Sequence, residues 1–196
     1  MIITDVKKFR KPTHEIDDIF INRWSPRSFS EQKIPKDILL SLFEAARWAP
    51  SAFNIQPWRF IIAHTKESRE KFYSFISESN LSWCKKAPVL TLIISEKEND
   101  RGENRSHSFD AGTAWGFLSL QAIKCGLITH PMSGFDFEKA RKVLEIPDNY
   151  EIQACIAIGY QSDRENLPKQ LQEREEPNGR RPLEESIFDG EFGKTF

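Results

Sequence analysis

Cysteine is scarce in this chain. Cys84, Cys125 and Cys155 are the only three, and no two lie close together. That excludes a disulfide framework and a Cys-x-x-Cys metal site, and it suits a reducing compartment. All three read as small buried apolar groups. Histidine is rare too, with four residues and no ligand spacing. His64 and His107 read as surface residues, and His130 as a hydrogen-bonded bystander. An excess of one charge is also missing. The 28 basic and 29 acidic residues leave a net charge of -1, so no pull toward nucleic acid is expected. Long apolar runs are absent. The longest, residues 87–94 with Thr91 inside it, is too short to span a bilayer. Residues 1–5 carry no signal-peptide pattern, so a cytoplasmic location without a membrane partner is expected. No Gly-x-Gly-x-x-Gly turn of the kind that holds dinucleotides occurs. Asp110 and Glu151 show no paired-carboxylate pattern.

The 196 residues fit a single domain, 1–196. Hydrophobic content is 39%, with 15 Phe and 5 Trp, enough for a core. Apolar spacing predicts helices over residues 13–22, capped by Thr13, from Pro35-Lys36-Asp37 onward until Pro50 stops it, and over 66–77. Strands are predicted at 58–63 and 89–95, and a charged loop at 97–104. Residues 111–125 form the most apolar helical pattern, which places that helix centrally, and Gly126 ends it. A short extended piece at 127–129, a tight loop at 130–134 and a helix at 136–144 follow. In the last strand, 151–160, Gln153, Cys155, Ala157 and Gly159 form a small face, against which the long helix is expected to pack. Residues 161–178 are charged and aperiodic and read as an extended arm. The alternation of elements gives an α+β or α/β class with few strands.

Two stretches carry chemistry. Arg23-Trp24-Ser25-Pro26-Arg27-Ser28-Phe29 sets two guanidinium forks beside hydroxyls, a donor set suited to a phosphate dianion. The turn from Ala49 to Trp58 contains Ser51 and the side-chain amides of Asn54 and Gln56, which donate and accept at once. Together they suggest a phosphorylated heteroaromatic cofactor. Alone, the arginines would more often be a solvated face and the amides ordinary turn residues. Trp48 and Trp58 read as core or dimer-contact aromatics.

From about Phe20 onward, these motifs in this order resemble the nitroreductase family of FMN-dependent oxidoreductases. The marks are Arg23, Ser25 and Arg27; Pro50, Ser51, Asn54, Gln56, Pro57 and Trp58; Gly126, Leu127, Pro131, Gly134 and Phe135; and Ile158-Gly159-Tyr160 with Arg180-Arg181-Pro182. The resemblance implies an α+β nitroreductase-like fold with a mixed central sheet flanked by helices. It implies a homodimer with FMN at the interface, and an enzyme with a ping-pong cycle. NADH or NADPH reduces the flavin and leaves, and a nitroaromatic, quinone or similar electron-poor acceptor takes the electrons. Same-fold alternatives are reductive dehalogenation, flavin breakdown, and non-catalytic flavin binding or storage.

By matched position, the resemblance gives Arg23, Trp24, Ser25, Arg27, Ser51, Asn54, Gln56, Asn80, Pro131, Met132, Ser133, Gly134, Arg180 and Arg181 as cofactor-binding residues. Arg23, Ser25 and Arg180 would hold the phosphate and ribityl chain, and Arg27 would lie near the pyrimidine edge. Asn54 and Gln56 would sit at the flavin edge or brace their loop, with Ser51 approaching from the partner. The loop at 131–134 would set a main-chain N–H, that of Ser133, against flavin N5. The reactive atom would be N5 itself, so no catalytic side chain and no metal is implied. Trp24 and Ser133 depart from the family pattern, which often carries a basic or polar residue at the first place and an acidic one at the second.

Overall fold

The computed structural model describes residues 4–100 and 102–196. Residues 1–3, part of the stretch read above for a leader, and Arg101 in the charged loop lie outside the described residues.

Among the described residues, seven α-helices and a two-stranded ribbon surround one four-stranded sheet. The helices are α1 Asp18–Asn22, α2 Lys36–Arg47, α3 Lys66–Tyr73, α4 Glu78–Cys84, α5 His107–Lys124, α6 Phe137–Val143 and α7 Lys169–Gln172. The strands are β1 Trp58–Ala63, β2 Val89–Glu96, β3 Glu98–Asn99, β4 Gly102–Glu103, β5 Ile128–Met132 and β6 Tyr150–Gly159. The sheet order is β1-β2-β6-β5, and β3 and β4 form a separate hairpin within the expected charged loop.

The α+β class stands, but every pairing in this sheet is antiparallel among the described residues, where a mixed sheet was expected. α5 lies on the connection from β2 to β5, which do run in the same direction, but β6 inserts between them as an antiparallel neighbour of both.

One face of the sheet packs against α2 and α5. Leu39, Leu42, Ala46, Ala111, Ala114, Leu118 and Ala122 meet Val89, Ile93, Ile156 and Ile158. The other face packs Phe29, Phe72, Phe75, Trp83 and Ala140 against Leu90, Leu92, Cys155 and Ala157. The small face of β6 therefore does not meet the long helix, contrary to the sequence expectation. α5 itself supplies the small residues and approaches the larger ones, Ile156 and Ile158. The small face instead receives bulky rings, which need the room. A β-bulge between Ile93 and Ile94 shifts the register, so that Ile94 faces Ile152 and Ile93 faces Ala154. The extra residue, Gln153, breaks the alternation and moves Ile152 to the ring-lined side. Leu118 is fully buried, and its truncation to alanine would cost about 2–5 kcal/mol.

Local chemistry moved several boundaries. α1 starts at Asp18 because Asp17, not Thr13, caps it, its Oδ1 accepting from the Ile19 N–H at 2.8 Å. The helix expected over 66–77 stops at Tyr73, because residues 75–77 pair with 134–136. Ile76 bridges Phe135, the Ser77 N–H donates to Gly134 O, and the Asp136 N–H donates to Phe75 O. α4 then restarts the helix. β5 runs through His130 and Pro131, part of the expected tight loop. Pro131 fits there because β5 is an edge strand. Gly126 does end α5, at φ +72, a left-handed conformation that suits glycine.

Candidate functional site

The chain leaving α1 is held against the end of β6. Ser30 N–H donates to Tyr160 O and Ser162 N–H to Ser28 O, both at 2.9 Å, and Phe29 bridges Gln161. Ser28 Oγ adds a bond to Asp163 O at 2.6 Å. These ties leave Arg23, Ser25 and Arg27 facing a polar cavity of about 280 Å³, also lined by Arg10, His130, Glu176, Asn178 and Arg180.

Four guanidinium groups share this cavity. Burial holds Arg23 below the usual arginine value, and Arg180 adds to the effect. Arg10 is lowered by burial, then by Arg180 and Arg23. Arg23 Nη1 donates to Ser25 Oγ at 3.2 Å. Glu175, whose side chain is 2% exposed, lies behind Arg27 at 3.8 Å. His130 hydrogen-bonds Pro26 O through Nδ1 at 3.0 Å and rests against the Trp83 ring, 4.5 Å between centroids. Burial pushes its pKa down to about 4, so it is neutral at pH 7. With an Nδ1–H donor, the imidazole adds no charge to the cluster.

The amide turn forms a second feature. Phe53, Asn54 and Gln56 all have positive φ, 50, 56 and 52°. That conformation is uncommon for any residue but glycine, and unusual for phenylalanine. The turn is tied down on every side. Gln56 N–H donates to Ser51 Oγ at 3.0 Å, and Gln56 Nε2 donates to Asn54 O and Oδ1 at 3.1 Å. Ala52 N–H donates to Asp110 Oδ2 at 3.2 Å. Gln56 thus braces Asn54, and the phenyl ring of Phe53 is left 90% exposed. A second cavity, about 550 Å³, lies between Ala52, Phe53 and Ile55 on one side and Asn99 with residues 102–106 on the other.

A third piece is the end of β5. Asn80 Nδ2 donates to Gly134 O at 3.1 Å. A Cβ at Gly134 would stand 2.6 Å from that nitrogen, so the glycine permits the close approach. Ser133 and Gly134 are exposed.

Of the sequence-derived residues, the structure brings Arg23, Ser25, Arg27 and Arg180 together in one cavity. Arg181 is exposed and Trp24 is buried, and neither lines it. Ser51, Asn54 and Gln56 do not line it either. Asn80, Pro131, Met132, Ser133 and Gly134 cluster at the far end of β5. Sequence reasoning missed Arg10, Glu175, Glu176 and Asn178. Arg10 sits in an ordinary basic run, Lys7-Lys8-Phe9-Arg10-Lys11, and the others in the motif-free stretch 161–178.

Residues 21–83 and 77–160 match the nitroreductase family. The chain belongs to this family. Among solved nitroreductase-like structures, a crystal structure of an oxidoreductase containing FMN shares 41% sequence identity and a TM-score of 0.90. That match covers 95% of this chain and 97% of the other. An iodotyrosine deiodinase from Thermotoga neapolitana is 27% identical, with 74% of this chain and 88% of the relative covered. An NADH dehydrogenase from Thermus thermophilus is also 27% identical, covering 73% and 85%. The family match omits Arg10 and the 176–180 segment, both of which line the arginine cavity of this nitroreductase-family chain.

Proposed function

We propose that this chain is an FMN-dependent oxidoreductase that transfers electrons from NADH or NADPH to a nitroaromatic, quinone or similar acceptor by a ping-pong cycle. The reading further takes the chain as one domain in a cytoplasmic homodimer, with FMN at the interface. The observation that carries it is the cavity of four guanidiniums and a serine hydroxyl. Like charges gathered in a half-buried cavity call for an anion, and the planar forks suit a phosphate. At about 280 Å³ the cavity is at the small end for ligand pockets. It suits the phosphate and part of the ribityl chain, with the ring lying beyond it.

In this reading Arg23, Ser25 and Arg180 hold the phosphate and the adjoining hydroxyls. Arg27, kept in place by Glu175, faces the pyrimidine edge and favours negative charge there. The 133–134 turn, fixed by Asn80, aims the Ser133 main-chain N–H at N5 and sets the ring's position. The amide turn of a second copy closes the site through Ser51, and its Phe53 excludes water. FMN, when bound, supplies the hydride chemistry. No helix among the described residues is long and apolar enough to cross a membrane.

The test is the visible spectrum of the purified protein, chromatography of the released flavin, and anaerobic titration with NADH and NADPH. A yellow protein that releases FMN and is bleached by either nucleotide supports the reading. Released FAD, or a colourless protein that takes up no FMN, overturns it. The deiodinase relative favours one second reading, reductive dehalogenation on the same flavin. Steady NADH turnover with a quinone separates the two.

A further inference from the structure

Arg10 precedes both the family-matched region, residues 21–160, and the first motif of the sequence. Nothing in that region calls for it. Yet its guanidinium is among the most firmly held in the molecule. Nε–H donates to Asn178 O at 2.8 Å, and Nη1 donates to Ile21 O at 2.9 Å and Arg23 O at 2.8 Å. Three of the five N–H groups of a guanidinium are thus fixed on carbonyls from two distant segments. Among the described residues, the two on Nη2 have no partner, and the side chain lines the cavity with Arg23, Arg27 and Arg180.

A solvated arginine would turn away from three like charges. This one is anchored among them. Carbonyl oxygens carry only partial charge and offset a full cation incompletely. The one carboxylate lining the cavity, Glu176, also lies 3.7 Å from Arg164. A net positive charge therefore remains, and a dianion neutralises it.

We propose that Arg10 is a phosphate-binding residue of this protein, its Nη2 group donating to the phosphate monoester of FMN while its other nitrogens lock the N-terminal segment to residue 178. The assignment rests on the FMN reading above.

The experiment compares FMN with riboflavin, which lacks the phosphate. Both are titrated into the flavin-free full chain, wild type and Arg10→Met, by quenching of flavin fluorescence. Loss of one charge-assisted contact lowers FMN affinity about ten- to hundredfold and leaves riboflavin affinity unchanged. An equal loss for both ligands makes Arg10 a structural brace and overturns the assignment, as does no loss for either. If Arg10→Met does not fold, Arg10→Lys is used. It keeps the charge but not the fork, and it is expected to narrow the preference for FMN over riboflavin several-fold. An unchanged preference overturns the assignment. If wild type binds no FMN at all, the function proposed above fails and thermal unfolding with inorganic phosphate decides for Arg10. Stabilisation in wild type that is lost in the variant supports an anion site containing Arg10, and equal stabilisation, or none, overturns it.

Discussion

Glu175 holds Arg27 by its main chain and faces its guanidinium. Its Oε1 accepts the Arg27 main-chain N–H at 2.6 Å, and its Oε2 lies 3.8 Å from the Arg27 guanidinium. The same Oε1 accepts the Ser28 N–H at 2.9 Å. A carboxylate on the stretch that looked like a loose arm therefore sets the shape of the arginine loop.

That carboxylate and His130 should give opposite pH dependences. Burial raises the Glu175 pKa above the ordinary 4.5, against the pull of Ser28, Arg27 N–H and the Arg27 cation. A raised acid binds its proton more tightly in the folded state, so its contribution is greatest at low pH and is lost as pH rises from 4.5 through the folded value. His130 is depressed from 6.5 to about 4, so its contribution is complete above 6.5 and is lost as pH falls toward 4. Urea unfolding from pH 4 to 7 should show His130→Asn flattening the acid-side loss of stability and Glu175→Gln steepening it. A Glu175→Gln profile that matches wild type would rule out a shifted carboxyl.

Arg23 and Arg27 share one cavity but should fail differently. Arg23→Ala removes the proposed phosphate contact and should weaken FMN binding about ten- to hundredfold. Arg27→Ala should lower the flavin midpoint potential and slow reduction by NAD(P)H, even with the site saturated. FMN affinity and potential, measured in both variants, decide. If Arg23→Ala alone shifts the potential, the two roles are reversed.

Trp48, Phe53 and Phe109 are 69, 90 and 80% exposed, ring surface that the proposed homodimer would cover. Phe109→Glu should convert the proposed homodimer to monomer in light scattering at micromolar concentration and reduce FMN retention. A variant that stays dimeric with full flavin content would place the interface elsewhere.

Gly134→Ala should cost about 1 kcal/mol, the worth of one hydrogen bond, because the new Cβ stands 2.6 Å from Asn80 Nδ2 and 3.2 Å from Ser77 Oγ and pushes the amide off Gly134 O. Shortening the neighbour should restore room. In a double-mutant cycle, Asn80→Ala combined with Gly134→Ala should cost less than the sum of the single changes. Strict additivity would show that the two residues do not meet.

Elements with strong local signals were legible in the sequence. Residues 58–63 and 89–95 alternate or run apolar, and they form strands almost as read. The arginine loop was legible because Arg23, Ser25 and Arg27 lie within five residues. What escaped depended on distance along the chain. Ile76 leaves a helical pattern to pair with Phe135, a partner no local window contains. Gln153 looks like any strand residue until β2 imposes the bulge. Arg10, Glu175 and Asn178 have no motif of their own. Their roles exist only once the two ends of the chain meet.

That meeting has a consequence for the order of events during synthesis. The bond from Arg10 to Asn178 joins residues 168 positions apart. At about 5–20 residues per second, Arg10 waits about 8 to 34 seconds on the ribosome before its partner is made. The sheet can pair earlier, because β6 is complete at Gly159. The arginine cavity cannot close on the growing chain until Asn178 and Arg180 have been made, so a ligand gripped there is loaded only after all four strands of the sheet have been synthesised.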